Sequence, residues 1–132
     1  MNLIIGASGK LGGRIARRLL DNGQEVGAVS RNPEKLATLQ SKDAKTIRGD
    51  LRDPSWMDDV LKGVRNLFIA SHGLIPPSRT NNMDTVDDTG NRNLIDAAKR
   101  TGVERVFFSS AYFAKPDAPA RFGRIKYKIE LF

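Results

Sequence analysis

The residues best placed to do chemistry form one stretch, Gly6-Ala7-Ser8-Gly9-Lys10-Leu11-Gly12-Gly13. A short apolar run, Leu3-Ile4-Ile5, precedes it. A segment follows in which Leu11, Ile15 and Leu19 recur every four residues. That period predicts a helix with one buried face, and Arg14, Arg17 and Arg18 fall on its solvated side. The glycines therefore sit between a buried strand and an amphipathic helix, the context that gives such a motif its meaning. Without a Cβ, the backbone can reverse sharply and a ligand can come close. The helix start then offers unpaired N–H groups and the positive end of its dipole to an anion, for which a pyrophosphate is a natural occupant. Gly6, Ser8, Gly9, Lys10, Leu11 and Gly12 are the candidate contacts. The spacing is Gly-x-x-Gly-x-x-Gly, looser than Gly-x-Gly-x-x-Gly, and a tight strand-to-helix turn without a ligand is the alternative reading.

The tip of the second strand discriminates between nucleotides. In dinucleotide-binding folds, a carboxylate about 20 positions beyond the glycines accepts from a ribose 2′-OH, whereas an arginine accommodates a 2′-phosphate. Here Arg31 stands 19 positions after Gly12, in Val29-Ser30-Arg31, with no carboxylate at the tip. A serine hydroxyl and a guanidinium suit a phosphate monoester, which arginine grips with parallel donors. Lys35, one helical turn on, adds charge. Beyond the third strand comes Gly49-Asp50-Leu51. Asp50 reads equally as an acceptor for an adenine amino group and as a turn residue. Ala70-Ser71-His72-Gly73 follows the fourth strand and is expected to pass beneath the other half of a dinucleotide. His72 is the only histidine, so His-rich metal sites and Ser-His-Asp catalysis have little material, and no metal site is expected. It reads as a loop residue near the ligand.

The elements that position these residues alternate along the chain. Glu25–Val29 predicts a second strand and Ser30-Arg31-Asn32-Pro33 its end, with Asn32 capping the next helix and Pro33 at its first position. Residues 45–48 read as a third strand. Asp53-Pro54 opens a short helix through Trp56, Val60 and Leu61 that Gly63 stops. Asn66–Ala70 is a continuous apolar strand, as in a sheet covered on both faces. Residues 71–82 lack periodicity and hold Pro76-Pro77, which predicts a surface loop. A long helix is expected from about Asp84 to Arg100, with Val86, Leu94, Ile95 and Ala98 buried and Gly102 as its stop. Arg105–Ser110 is the fifth strand, 112–122 is irregular, and 123–132 begins a helical pattern. Strands alternating with helices predict an α/β fold: a doubly wound parallel sheet in three layers, order 3-2-1-4-5, with its ligand crevice at the strand C-terminal ends between strands one and four.

Composition bounds the rest. A chain of 132 residues, 39% hydrophobic and 28% charged, fits one globular domain. There is no cysteine, which excludes disulfides and thiolate chemistry and suits a reducing, cytoplasmic setting. No apolar run is long enough to cross a bilayer. The net charge of +7 could suggest nucleic acid, but no run of five basic residues occurs and aromatics are not interleaved with them. Solvated helix faces and a phosphate-binding mouth account for it better.

Taken together, Gly6–Gly12, Ser30-Arg31-Asn32-Pro33, Gly49-Asp50-Leu51, Thr89–Ala98 and Phe107-Phe108-Ser109-Ser110 resemble the N-terminal part of an atypical short-chain dehydrogenase/reductase, of the NmrA-like or NAD(P)H-quinone oxidoreductase kind. The resemblance implies NADP(H) as cofactor and either of two roles. One is reduction of a quinone-like or other small carbonyl acceptor by hydride transfer. The other is a non-catalytic redox sensor that reports to a protein partner. Two departures matter. Phe122-Gly123-Arg124-Ile125-Lys126, with Glu130 four residues on, aligns with the superfamily's Tyr-x-x-x-Lys pattern, but a phenyl ring stands where the tyrosine acid would be. Lys126 is then implied as a nicotinamide-ribose ligand, and Ser109 and Ser110 as hydroxyl donors or simply strand terminators. Tyr112 is a substitute acid whose spacing to Lys115 does not match. The second departure is length: such proteins continue into further strands and a substrate lobe, so this sequence resembles a fragment or truncated form, with Leu131 and Phe132 expected on an apolar surface.

Without that acid and lobe, a substrate lacks both a proton donor and a closed pocket. The 132-residue chain is therefore expected to bind NADPH and to reduce simple quinones slowly or not at all, with Phe122→Tyr alone restoring nothing. Rapid NADPH consumption with a quinone panel would contradict this.

Overall fold

The central strands are buried at every position, because a parallel sheet with helices on both faces leaves no polar side. In the computed structural model, which describes residues 1–73 and 78–132, these are β1 (Asn2–Ile5) and β2 (Val26–Ser30). With β3 (Lys45–Arg48), β4 (Asn66–Ile69) and β5 (Arg105–Phe108) they form one parallel sheet in the order β3-β2-β1-β4-β5, as the alternation of elements predicts. Ile5 is level with Val29 and Ile69, and Ile69 with Phe108, so the strands end together and their following loops meet.

Two cores flank the sheet. On one face, α1 (Lys10–Asp21) and the short α2 (Ala37–Gln40) pack on Ile4, Val26 and Ala28. On the other, α3 (Met57–Leu61) and α4 (Asn91–Thr101) cover Leu3, Ile5, Val29, Leu67 and Ile69. A last helix, α5 (Arg121–Glu130), packs against the segment that leads into α4. No helix among the described residues is long and apolar enough to cross a membrane.

Several sequence expectations need correction. The buried stripe of α1 is Gly12, Gly13 and Ala16; Ile15 and Leu19 are half-buried and Leu11 is exposed. The reason is close approach: a Cβ at Gly13 would lie 3.1 Å from the Ala7 carbonyl oxygen, so the small residues take the contact and the larger ones flank it. Asn32 makes no side-chain cap; its N–H donates to Ser30 Oγ, and Pro33–Leu36 forms a 3₁₀ turn before α2. The long helix begins at Met83, capped reciprocally by Asn82 and Thr85, and runs as π-helix to Gly90 before α4 continues it. β4 is not covered throughout: Phe68 is half-buried and stacks at 4.6 Å on Phe107, which remains exposed because α1 and α2 cover the β1–β2 side of that face. β5 ends at Phe108, short of Ser110. Leu131 and Phe132 are exposed. The expected loop around Pro76 and Pro77 falls outside the described residues.

Gly12 has no room for a side chain. A Cβ there would press on the Gly6 carbonyl, 2.8 Å from its carbon. Gly12→Ala is expected to destabilise the chain by about 1–3 kcal/mol, as overpacking against rigid backbone does, and to weaken nucleotide binding in step. Urea unfolding beside a binding titration checks both; an unchanged midpoint with unchanged affinity would contradict the packing account.

Candidate functional site

The site begins at the turn after β1. Gly6 adopts φ +81°, the left-handed region that favours glycine, and a Cβ on it would meet the Ala70–Ser71 backbone at 3.0 Å. Ala7 N–H donates to the Val29 carbonyl and Gly9 N–H to the Gly6 carbonyl, which ties the turn to β2 and to itself. The first bond of the helical pattern runs from Gly13 N–H to Gly9 O, leaving the Lys10, Leu11 and Gly12 N–H groups to be satisfied from outside the helix. Gly9, the N-cap, has no side chain to offer, and the first turn holds no acidic residue. A cap that presents backbone donors without neutralising them fits an anionic group.

A cavity of about 230 Å³ opens beside this turn. The loops after β1, β2, β3 and β4 all line it. They bring together Gly6, Ser8 and Gly9; Ser30, Arg31 and Lys35; Asp50 and Leu51; and Ala70, Ser71 and His72. Lys10, Leu11 and Gly12 stand in the adjoining first turn of α1 rather than in the cavity wall. Ser30 Oγ donates to Ser8 Oγ at 3.1 Å, joining the tip of β2 to the glycine turn. Arg31 Nη1 donates to Asn81 Oδ1 at 2.6 Å. Asp50 accepts from the Arg52 backbone N–H and, in a forked pair, from its guanidinium. Those bonds hold its carboxyl below the usual carboxylate range against the opposing effect of partial burial. Asp50 thus shapes a turn and faces the cavity at once.

The remaining predicted residues lie apart from this cavity. Ser109 donates its N–H to the Ile69 carbonyl, and the Ser110 hydroxyl donates to the Glu130 carboxylate. Tyr112 is fully exposed, its ring edge-on to Phe113. Lys126 is buried: its ammonium is 3.4 Å from Asp87 Oδ1 and sits 4.6 Å and 5.1 Å from the ring centres of Phe108 and Phe122. Burial pushes its pKa down, and Asp87 opposes that. Asp87 Oδ2 also accepts from Gly73 N–H at 2.8 Å, so this carboxylate ties the loop after β4 to α5. Asn91, one helical turn on, donates to the Asp87 carbonyl.

The sequence reading placed Val86 in the core but not on the cavity wall, and it missed Asn81, Asp87 and Asn91. For the last two a signal exists: Asp87, Asn91, Leu94 and Ala98 share one helical stripe, so a carboxylate and an amide stand at core positions. For Asn81 no local pattern points inward.

The sequence model of the NAD(P)H-binding family matches residues 6–131. The chain is 36% identical over 124 residues to the photosystem II assembly factor Ycf39 of Cyanophora paradoxa, covering 94% of this chain and 38% of that protein. It is 32% identical over 124 residues to an NAD(P)H azoreductase of Xenophilus azovorans, covering 94% and 40%. Among solved structures, it superposes on an NADPH-dependent quinone oxidoreductase of Escherichia coli, complexed with NADPH, with TM-score 0.78 and 25% identity, covering 99% of this chain and 44% of that one. The chain therefore spans less than half the length of each of these relatives.

The buried pair gives a stability prediction. Removing one partner leaves an uncompensated buried charge, so Lys126→Met is expected to cost about 3–5 kcal/mol, and Asp87→Asn/Lys126→Met to recover most of it. Because the lysine's folded-state pKa lies below its usual 10.5, the unfolded chain binds more protons in the alkaline window under that value. The penalty for burying the charge therefore fades as pH rises through that window. Urea unfolding of wild type and both variants, at neutral and alkaline pH, checks this.

Proposed function

The chain belongs to the NAD(P)H-binding family, and from that membership we propose that it is the NADPH-binding domain of an atypical short-chain reductase that passes hydride to a quinone-like or other small carbonyl acceptor. The observation that carries the choice of NADPH over NADH is Arg31. Its guanidinium lines the cavity at the end of β2, with Lys35 beside it and no carboxylate at that tip. A 2′-phosphate needs such a cation, whereas a 2′-hydroxyl favours an acidic residue there.

The protein's own part is binding and orientation. NADPH supplies the hydride. The turn at Gly6–Gly9 and the N–H groups of Lys10 and Leu11 would hold the pyrophosphate, Ser30, Arg31 and Lys35 the phosphorylated adenosine ribose, and Leu51 with Asp50 the wall beside the adenine. Ala70, Ser71 and His72 would border the nicotinamide half. Lys126, clamped by Asp87 away from the cavity, serves this reading by fixing the loop after β4 through Gly73. Phe122 stands where the superfamily keeps its tyrosine acid, which favours an acceptor that needs no protein proton donor. The same observation supports the second role, a nucleotide-dependent sensor for a protein partner.

Replacing Arg31 by Asp introduces a carboxylate that repels the 2′-phosphate and accepts from a 2′-OH. Arg31→Asp is expected to weaken NADPH binding by about tenfold or more, the loss of a charge-assisted contact of about 1.5–3 kcal/mol, while sparing or improving NADH. Calorimetric titration with both nucleotides checks it, and an unchanged preference would overturn the assignment of Arg31.

A further inference from the structure

Two arginines flank the adenosine end of the cavity, and their partners differ in kind. Arg52 is forked on the Asp50 carboxylate, so its charge is locally compensated. Its Nη1 also donates to Thr80 Oγ1 at 3.1 Å. Arg31 lines the cavity, and the acceptor its guanidinium has among the described residues is the neutral amide oxygen of Asn81. Asn81 is only 5% exposed and itself lines the cavity. It is held from behind: Ser78 N–H donates to the Asn81 carbonyl at 2.8 Å, and Asn81 N–H donates to Ser78 Oγ at 3.0 Å. The next residue, Asn82, caps the long helix. The side chain that meets Arg31 is therefore presented by a closed turn anchored to the start of a helix.

We infer that Asn81 is a specificity-determining positioning residue, which orients the Arg31 guanidinium toward a ribose 2′-phosphate without bonding a carboxylate to it. This rests on the reading of Arg31 given above. A guanidinium has five donors in a rigid plane, so fixing one Nη sets the direction of the others. An amide oxygen does this without supplying a negative charge. A carboxylate at the same place would turn Arg31 into a second Arg52, paired and neutralised. Of the two residues that reach from this turn to an arginine, Thr80 meets the one forked on Asp50, and Asn81 meets the one with no carboxylate bonded to it among the described residues.

The test measures Kd for NADPH and NADH with the wild-type chain, Asn81→Asp, Asn81→Ala, Arg31→Ala and the Arg31→Ala/Asn81→Asp double variant. Asn81→Asp is expected to weaken NADPH by about tenfold and to change NADH by no more than about twofold. Asn81→Ala, which adds no charge, is expected to weaken NADPH by about threefold, again sparing NADH. In the Arg31→Ala background, Asn81→Asp is expected to add much less than it does in wild type, since coupled residues are not additive. Equal weakening of both nucleotides by either Asn81 variant would mark a merely structural role and overturn the inference, as would an undiminished effect of Asn81→Asp without Arg31. A preference lost in Arg31→Ala yet unchanged in both Asn81 variants overturns this inference alone. A preference unchanged in Arg31→Ala overturns the phosphate reading and this inference with it.

Discussion

The architecture depends on one steric constraint, the contact of the Gly6–Gly12 turn with the backbone around it. Gly6 lies against the Ala70–Ser71 peptide, and Gly12 lies against Gly6 itself. Neither site has room for a Cβ. Because these backbones can touch, α1 starts directly beyond the edge of β1 and directs its uncapped N-terminus at the strand ends. Gly13 and Ala16 extend the close approach along the helix. The site is thus set by atoms that are missing, and the larger apolar side chains of α1 are left to its flanks.

Charge is arranged around this turn in two ways. At the tip of β2, cations face the cavity: Arg31 and Lys35 line it, with Arg52 held back on Asp50. Apart from the cavity, Lys126 and Asp87 are buried together. Taking two charges out of water is costly, so a buried pair adds little net stability even though breaking it is expensive. Here the pair joins three elements: the π-helical segment that carries Asp87, the loop at Gly73, and α5 through Lys126. It fixes where the cavity's β4 loop runs. Lys126 is thereby held among Phe108, Phe122 and Asp87.

The sheet order and the ring of loops around the cavity were legible in the sequence, because alternating apolar runs and helical periods are local signals and topology rules do the rest. Gly6, Arg31 and Asp50 could be placed at strand ends for the same reason. What the sequence concealed was tertiary. Leu11, Ile15 and Leu19 show the right period but not the right depth, since glycines beside them bring the backbone nearer than side chains could. The π-helical stretch at Met83–Gly90 has no distinct period in the sequence, and the helical stripe that puts Asp87 at a core position does not name its partner, Lys126, 39 positions on. Asn81 meets Arg31 across 50 residues, a pairing that no local pattern encodes.

The central claim is that a dinucleotide lies across the strand ends, with its pyrophosphate at the start of α1 and its 2′-phosphate at Arg31. A crystal structure of the chain with NADP⁺ tests this most directly. The account predicts pyrophosphate oxygens about 3 Å from the Lys10 or Leu11 N–H groups and the 2′-phosphate within hydrogen-bond reach of the Arg31 guanidinium. A nucleotide bound away from the Gly6–Gly12 turn, or seated there with its 2′-phosphate turned from Arg31, would contradict it.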